Sequence, residues 1–237
     1  ELPEPPHPAY PTPKRSWRTE FPDLYKLADT VLANGVCDAT VPDPSRNCKF
    51  QAWIVNGTNL METLPNQANT LSAIQALQLL VVVDTMPMEI TGWADVVLPE
   101  CTYLERYDDL RVGPHRKPQI ALRAPAAEPL YDTRPAFYMA RELAKRLGVI
   151  EYFPFEKIED QLDWQLKQVG SSLEEMKRIG VKTFERTADD LYFYPDEAVE
   201  FFTATGKIEL YSTALEEAGF DPMPKYTAHE EPPAGFY

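Results

Sequence analysis

The sequence predicts an α/β fold: a Rossmann-like, parallel-sheet nucleotide-binding domain with a small helical annex and extended proline-rich ends. Three observations predict it. Short apolar runs at Ala52 to Val55, Leu79 to Val83 and Val96 to Leu98 each stop at a polar or breaking residue, Asn56-Gly57, Asp84 and Pro99. Unbroken apolar runs of this length suit strands buried on both faces. Between the first two, Asn66 to Leu77 spaces Ala68, Leu71, Ala73, Ile74 and Leu77 by three and four, which suits a helix completing a βαβ unit. Helical patterning then resumes after Arg123, while prolines crowd both ends of the chain.

Taken in order, residues 1–50 form an extended proline-rich arm and a helix. Glu1 to Pro13 excludes helix and central strand, because proline fixes φ and lacks an N–H. It reads as an arm lying over a surface or as a linker. Asp23 to Ala33 has one apolar face, and Asn34-Gly35 suits its stop. Asp38 to Asn47 carries turn chemistry. Residues 51–148 form the α/β domain. In it Gln119 to Leu122 reads as a short edge strand and Thr133 to Leu147 as a capped helix ending at Gly148. Residues 149–237 form the annex and a connecting segment. Here Lys157 to Gln168 and Ser171 to Ile179 read as helices, Gly206 to Tyr211 as a strand, and Ser212 to Ala218 as a short helix.

Composition narrows the function classes. The 237 residues carry a formal net charge of -14, which argues against nucleic acid or an anionic membrane as the main partner. A local basic cluster, Arg106, Arg111, His115, Arg116, Lys117 and Arg123, could still receive a phosphate. Cys37, Cys48 and Cys101 form no CxxC pair and have no histidine at ligand spacing, so zinc and iron–sulfur sites are not expected here. They read as structural thiols, with a Cys37–Cys48 disulfide as the alternative. The chain lacks GxGxxG, GxxxxGK[ST] and GxSxG patterns, so dinucleotide, triphosphate-hydrolysing and serine-hydrolase signatures are missing. His7 and His229 lie in the proline ends, and the Asp108-Asp109, Asp189-Asp190 and Glu230-Glu231 pairs read as solvated.

Parallel sheets bind ligands outside the carboxyl ends of their strands. That edge should present Gly57, Thr58 and Asn59, then Asp84 and Thr85, then the Glu105-Arg106 pair. Small polar residues let backbone amides approach a ligand, and a carboxylate accepts from a ribose diol or from the paired N–H donors of guanine. Arg106 offers a planar fork for a phosphate or a base. Each residue also has an ordinary reading as a turn or strand cap.

The segments VNGTNLMETLPN, VVVDTMPMEITGWADVVLPECTYLERYD, YDTRPAFYMARELAKRLG and TGKIELYS together resemble the molybdopterin oxidoreductase family. This group includes dimethyl sulfoxide reductase, nitrate reductase and formate dehydrogenase. GWADVVLPE and YLERYD are most similar to its polysulfide, thiosulfate and tetrathionate reductase branch. The resemblance implies a bis-molybdopterin guanine dinucleotide cofactor carrying molybdenum, with one guanosine held by Gly57, Thr58, Asn59, Asp84, Thr85, Arg106 and Asp132. Asp95 would join them as a guanine contact or act as a loop-fixing hydrogen bonder. It further implies a parent catalytic subunit with a [4Fe-4S] cluster outside these residues, reducing polysulfide or thiosulfate in anaerobic respiration. Its partners would be the remaining domains of the same polypeptide, an iron–sulfur electron-transfer subunit and a membrane anchor, in the periplasm. The four-cysteine motif, the molybdenum-ligating residue and the β-barrel domain are not in this sequence, so the chain is expected to be a piece holding no catalytic residue. Rival readings are another family member acting on arsenate, nitrate, a sulfoxide or formate, a non-catalytic iron–sulfur relative, and a docking domain.

Overall fold

The computed structural model describes residues 2–11, 33–45, 50–113, 117–185, 201–223 and 225–228. Its centre is a parallel sheet of β1 (Ala52–Asn56), β2 (Leu79–Asp84) and β3 (Val96–Pro99), in that spatial order. Ile54 pairs with Val81, which pairs with Val96; Asp84 closes the register opposite Pro99. The three apolar runs therefore became strands in the expected places. A single turn, α2 (Leu60–Thr63), and then α3 (Gln67–Ala76) connect β1 to β2. Asn66 starts α3 by accepting from the Asn69 amide through its side chain, as N-cap asparagines do.

One face of the sheet is closed. Trp53, Val55, Leu80 and Val82 pack against Ala73 and Ile74 of α3 and against Ile90. Complete burial of side chains such as Leu80 or Ile90 stabilises by about 1.5–3 kcal/mol each. Cys37 belongs to the same core, and its thiol, pushed up by burial, meets Thr70 Oγ1. Cys37 and Cys101 are both buried free thiols, which favours the structural reading over the disulfide; Cys48 lies outside the described residues. The opposite face is partly bare, with Ile54 64% exposed and Leu79 and Val96 near 40%.

A second core lies beside the first. β4 (Arg111–Gly113), β5 (Gln119–Ala121) and β6 (Val181–Thr183) form an antiparallel sheet with β5 in the middle. Helices α5 (Ile158–Gln168) and α6 (Leu173–Ile179) cover it, burying Leu162, Leu166 and Met176 with Ile120. Helix α4 (Ala136–Leu147) is capped at its end by Gly148 in the left-handed region.

Several expectations need correction. Gln119 to Ala121 is a central strand and not an edge, because β6, unforeseen in the sequence, pairs with its other side. Helix α1 (Ala33–Asp38) runs through Asn34-Gly35, the proposed stop. Burying Cys37 in the core outweighs the weak helix propensity of those two residues; most of Asp23 to Ala33 lies outside the described residues. Helix α4 begins at Ala136, and Thr133 turns its hydroxyl back to the Leu130 carbonyl instead of capping. Gly206 to Tyr211 is no strand, since Thr203 bonds Lys207 and Thr205 bonds Glu209 in a local turn, leaving Ile208 and Leu210 exposed. Ser212 does start a short helix, α7 (Thr213–Glu217), accepting from the Leu215 amide.

Arm residues 2–11 have neither helix nor strand. They lie on the annex, with Gln165 donating to the Pro3 carbonyl, Tyr152 to Ala9, and Tyr10 stacked on Tyr152 at 5.5 Å. His7 is therefore not a solvated tail residue; it packs on Tyr10 at 4.4 Å. Among the described residues no helix is long and apolar enough to cross a membrane.

Candidate nucleotide site

All three parallel strands deliver their carboxyl ends to one edge. β1 ends at Asn56-Gly57, β2 at Asp84-Thr85 and β3 at Pro99-Glu100. Gly57 turns the chain with φ +64°, next to open space, and its amide donates to the Val83 carbonyl. Glycine adopts that conformation without the steric cost borne by other residues. The turn places Asn59 at the start of α2, where the Glu89 carboxylate accepts from its side-chain amide. Glu89 opens a 3-10 turn (Glu89–Trp93) that follows β2.

Two acceptors at this edge are buried without any partner, Asn59 Oδ1 and Asp84 Oδ2. The other Asp84 oxygen caps the turn, accepting from the amides of Thr85 at 2.7 Å and Met86 at 3.3 Å. An unsatisfied buried polar atom costs about 1–3 kcal/mol, and a donor-bearing ligand would offset that cost for these two. Gly57, Thr58, Asn59, Asp84 and Thr85 thus converge, as the sequence predicts.

The remaining candidates divide. Asp95 sits at the amino end of β3, the opposite edge, where its carboxylate accepts from the Leu80 amide at 2.7 Å. That geometry is the loop-fixing alternative. Asp132 reaches the strand-end edge, because Arg134 bridges Glu100 and bonds Pro99 and Cys101 through its backbone. Its carboxylate is largely exposed and pairs with Arg134 at 3.0 Å.

Arg106 lines the edge but is already engaged. Its guanidinium pairs with buried Glu100, donates to the Cys101 carbonyl at 2.7 Å, and meets Asp108 at 2.8 Å. Asp108 also receives Arg123 at 2.6 Å. Burial works against the Asp108 charge, but hydrogen bonds from Arg106 and Arg123 together hold its carboxyl below the usual range. Within the basic cluster, Arg106, Arg123 and Lys117 are paired with carboxylates, while Arg111 is exposed. Asp108 is not a solvated carboxylate; His115 and Arg116 lie outside the described residues. Glu105 serves the backbone, its carboxyl held low by bonds from Thr102 and then Leu130.

A cavity of roughly 800 Å³ opens beside this edge, within the size range of small-molecule sites. Asn56, Gly57, Glu100 and Arg106 line one side, and Phe137 and Tyr152 the other. Arm residues His7 and Tyr10 add to its wall. Asn59, Asp84 and Thr85 lie outside its lining. Sequence reasoning missed Asn56, Glu89, Glu100 and Asp108. Asn56 and Glu100 were legible as the residues closing the first and third apolar runs; Glu89 and Asp108 gave no signal without the pairing. Among the described residues no group of three metal-ligating side chains is assembled.

The orphaned acceptors and the open glycine turn fit a ligand rich in N–H and O–H donors. The chain is 29% identical over 188 residues to the thiosulfate reductase molybdopterin-containing subunit PhsA of Salmonella typhimurium, covering 71% of this chain and 25% of that protein. It is 30% identical over 201 residues to acetylene hydratase of Syntrophotalea acetylenica, covering 82% and 26%. The solved structure of acetylene hydratase from Pelobacter acetylenicus superimposes with a TM-score of 0.67 at 26% identity, over 84% of this chain and 26% of that one. The chain thus spans about a quarter of the length of these relatives. Residues 35–146 match the family model described as molybdopterin oxidoreductase, and this part of the chain is a domain of that family.

Proposed function

We propose that this chain grips one guanosine half of a bis-molybdopterin guanine dinucleotide within the catalytic subunit of a molybdenum oxidoreductase. The observation that carries the reading is the pair of unpartnered buried acceptors, Asn59 Oδ1 and Asp84 Oδ2, at the carboxyl edge of a parallel sheet. Asp84 and Asn59 accept from the purine or ribose, Gly57 and Thr58 give the backbone close approach, and Asp132 stands at the rim. Arg106 holds the edge together through Glu100 and Asp108. When bound, the cofactor's molybdenum supplies electron or atom transfer; these residues fix where the cofactor lies.

The parent reduces polysulfide or thiosulfate, in keeping with the similarity to a thiosulfate reductase subunit. Its electrons arrive through a [4Fe-4S] cluster and an iron–sulfur subunit, with a membrane anchor, in the periplasm. The partly bare sheet face at Ile54, Leu79 and Val96 supports docking of further domains of the same polypeptide. Similarity to acetylene hydratase in both sequence and structure favours a second reading, a parent that hydrates instead of reducing. Assays of thiosulfate reduction and acetylene hydration by the full-length protein separate the two. For the binding role itself, Asp84→Ala should release the cofactor from the full-length protein, read as lost molybdenum and lost acid-released guanine nucleotide. Unchanged contents of both contradict the proposal.

A further inference from the structure

The strand-end edge contains two asparagines, and each has its amide turned by a carboxylate. Glu89 accepts from Asn59 Nδ2, and Glu100 accepts from Asn56 Nδ2 at 3.5 Å. An ionised carboxylate only accepts, so a side-chain amide facing it must present its nitrogen and aim its carbonyl the other way. Asn59 Oδ1 is consequently the buried atom without a partner. Asn56 Oδ1 has no protein partner among the described residues, and Asn56 lines the cavity beside the edge. With Asp84 Oδ2, the edge has three side-chain acceptors without a protein partner among the described residues.

We infer that Glu89 and Glu100 are positioning residues that set ligand choice, by locking Asn59 and Asn56 with their carbonyls towards the ligand. The edge then selects a nucleoside that donates, through an amino, imino or hydroxyl group, and rejects one that lacks those donors. Glu100 is firmly anchored, since its backbone amide donates to the Asp84 carbonyl at 2.9 Å, its side chain is buried, and Arg106 holds its other oxygen. Glu89 is exposed, so its replacement tests the orientation with little burden on the fold. A glutamine in either place both donates and accepts, and so releases the amide to flip. This inference rests on the nucleoside reading of the edge and adds its polarity.

The test uses the full-length protein freed of bound nucleotide, titrated with guanosine, with inosine, which lacks the 2-amino group, and with 2′-deoxyguanosine, which lacks one ribose hydroxyl. The unaltered protein should bind guanosine about tenfold more tightly than at least one of the other two. Glu89→Gln should shrink that ratio to about twofold or less at an unchanged melting temperature. Glu100→Gln should act in the same direction; should it fail to fold, Glu89→Gln decides alone. A purely structural role for the two carboxylates would lower melting temperature and leave the ratio intact, which overturns the inference. Should Asp84→Asn weaken guanosine while the ratio survives in Glu89→Gln, the nucleoside reading stands and the orientation falls. If the unaltered protein binds none of the three, both fall.

Discussion

In the annex, polar groups close on one another. Ser172 accepts from the Glu175 amide, Ser171 donates to the Glu175 carboxylate, Lys182 pairs with that same carboxylate, and Asp163 accepts from the Leu173 amide. At the carboxyl edge of the parallel sheet this mutual pairing stops short, with Asn59 Oδ1 and Asp84 Oδ2 left over. Both regions have buried apolar cores of similar construction. The difference is that, among the described residues, the annex leaves no buried side-chain acceptor unpartnered and the strand-end edge leaves two. Buried acceptors without partners add nothing to stability, so the two at this edge need another explanation.

The largest effect that sharpens this contrast comes from Arg106, which ties Glu100 at the edge to Asp108. Replacing Arg106 by Met leaves Glu100 buried and unpaired, and should cost about 3–5 kcal/mol in urea unfolding. Leu162→Ala, in the fully buried annex core, should cost about 2–5 kcal/mol while guanosine affinity stays unchanged. An affinity loss there would break the separation of roles. Asp84→Asn keeps the oxygen that caps Thr85 and removes the carboxylate charge. It should weaken guanosine about tenfold in calorimetric titration without moving the unfolding midpoint. Ser172→Ala removes one annex cap and should cost about 1 kcal/mol, again with binding intact.

The smallest effect is on pH dependence. Asp108 has a folded pKa below its unfolded value, so its contribution is complete above the ordinary aspartate range of roughly 4. That contribution is lost as pH falls through the lower folded value. Melting temperature should therefore drop between about pH 5 and pH 3 more in the unaltered protein than in Asp108→Asn.

How far the sequence foretold these features follows from the range of the interactions involved. β1, α3, β2 and β3 were legible because their apolar spacing and stopping residues are local, and Asn66, Ser172 and Ser212 announced helix starts by the same logic. The antiparallel sheet was not, since β6 meets β5 only after some sixty intervening residues and three-residue strands carry no period. Asp84 and Asn59 were legible as residues closing a strand and opening a turn. Arg106 was read correctly as lying at the edge and incorrectly as an open cation, because its partners Glu100 and Asp108 are fixed by how the loop folds. Asp95 followed the motif, yet the register of β3 against β2 sets it at the far end.

The most direct measurement is the position of the guanosine in a crystal structure of the full-length protein with its cofactor bound. A purine nitrogen or ribose hydroxyl should lie about 3 Å from Asp84 Oδ2 and from Asn59 Oδ1, as hydrogen bonds require. A guanosine seated elsewhere, with both acceptors still unpartnered or met only by other protein groups, would contradict the assignment of this edge as the nucleoside grip.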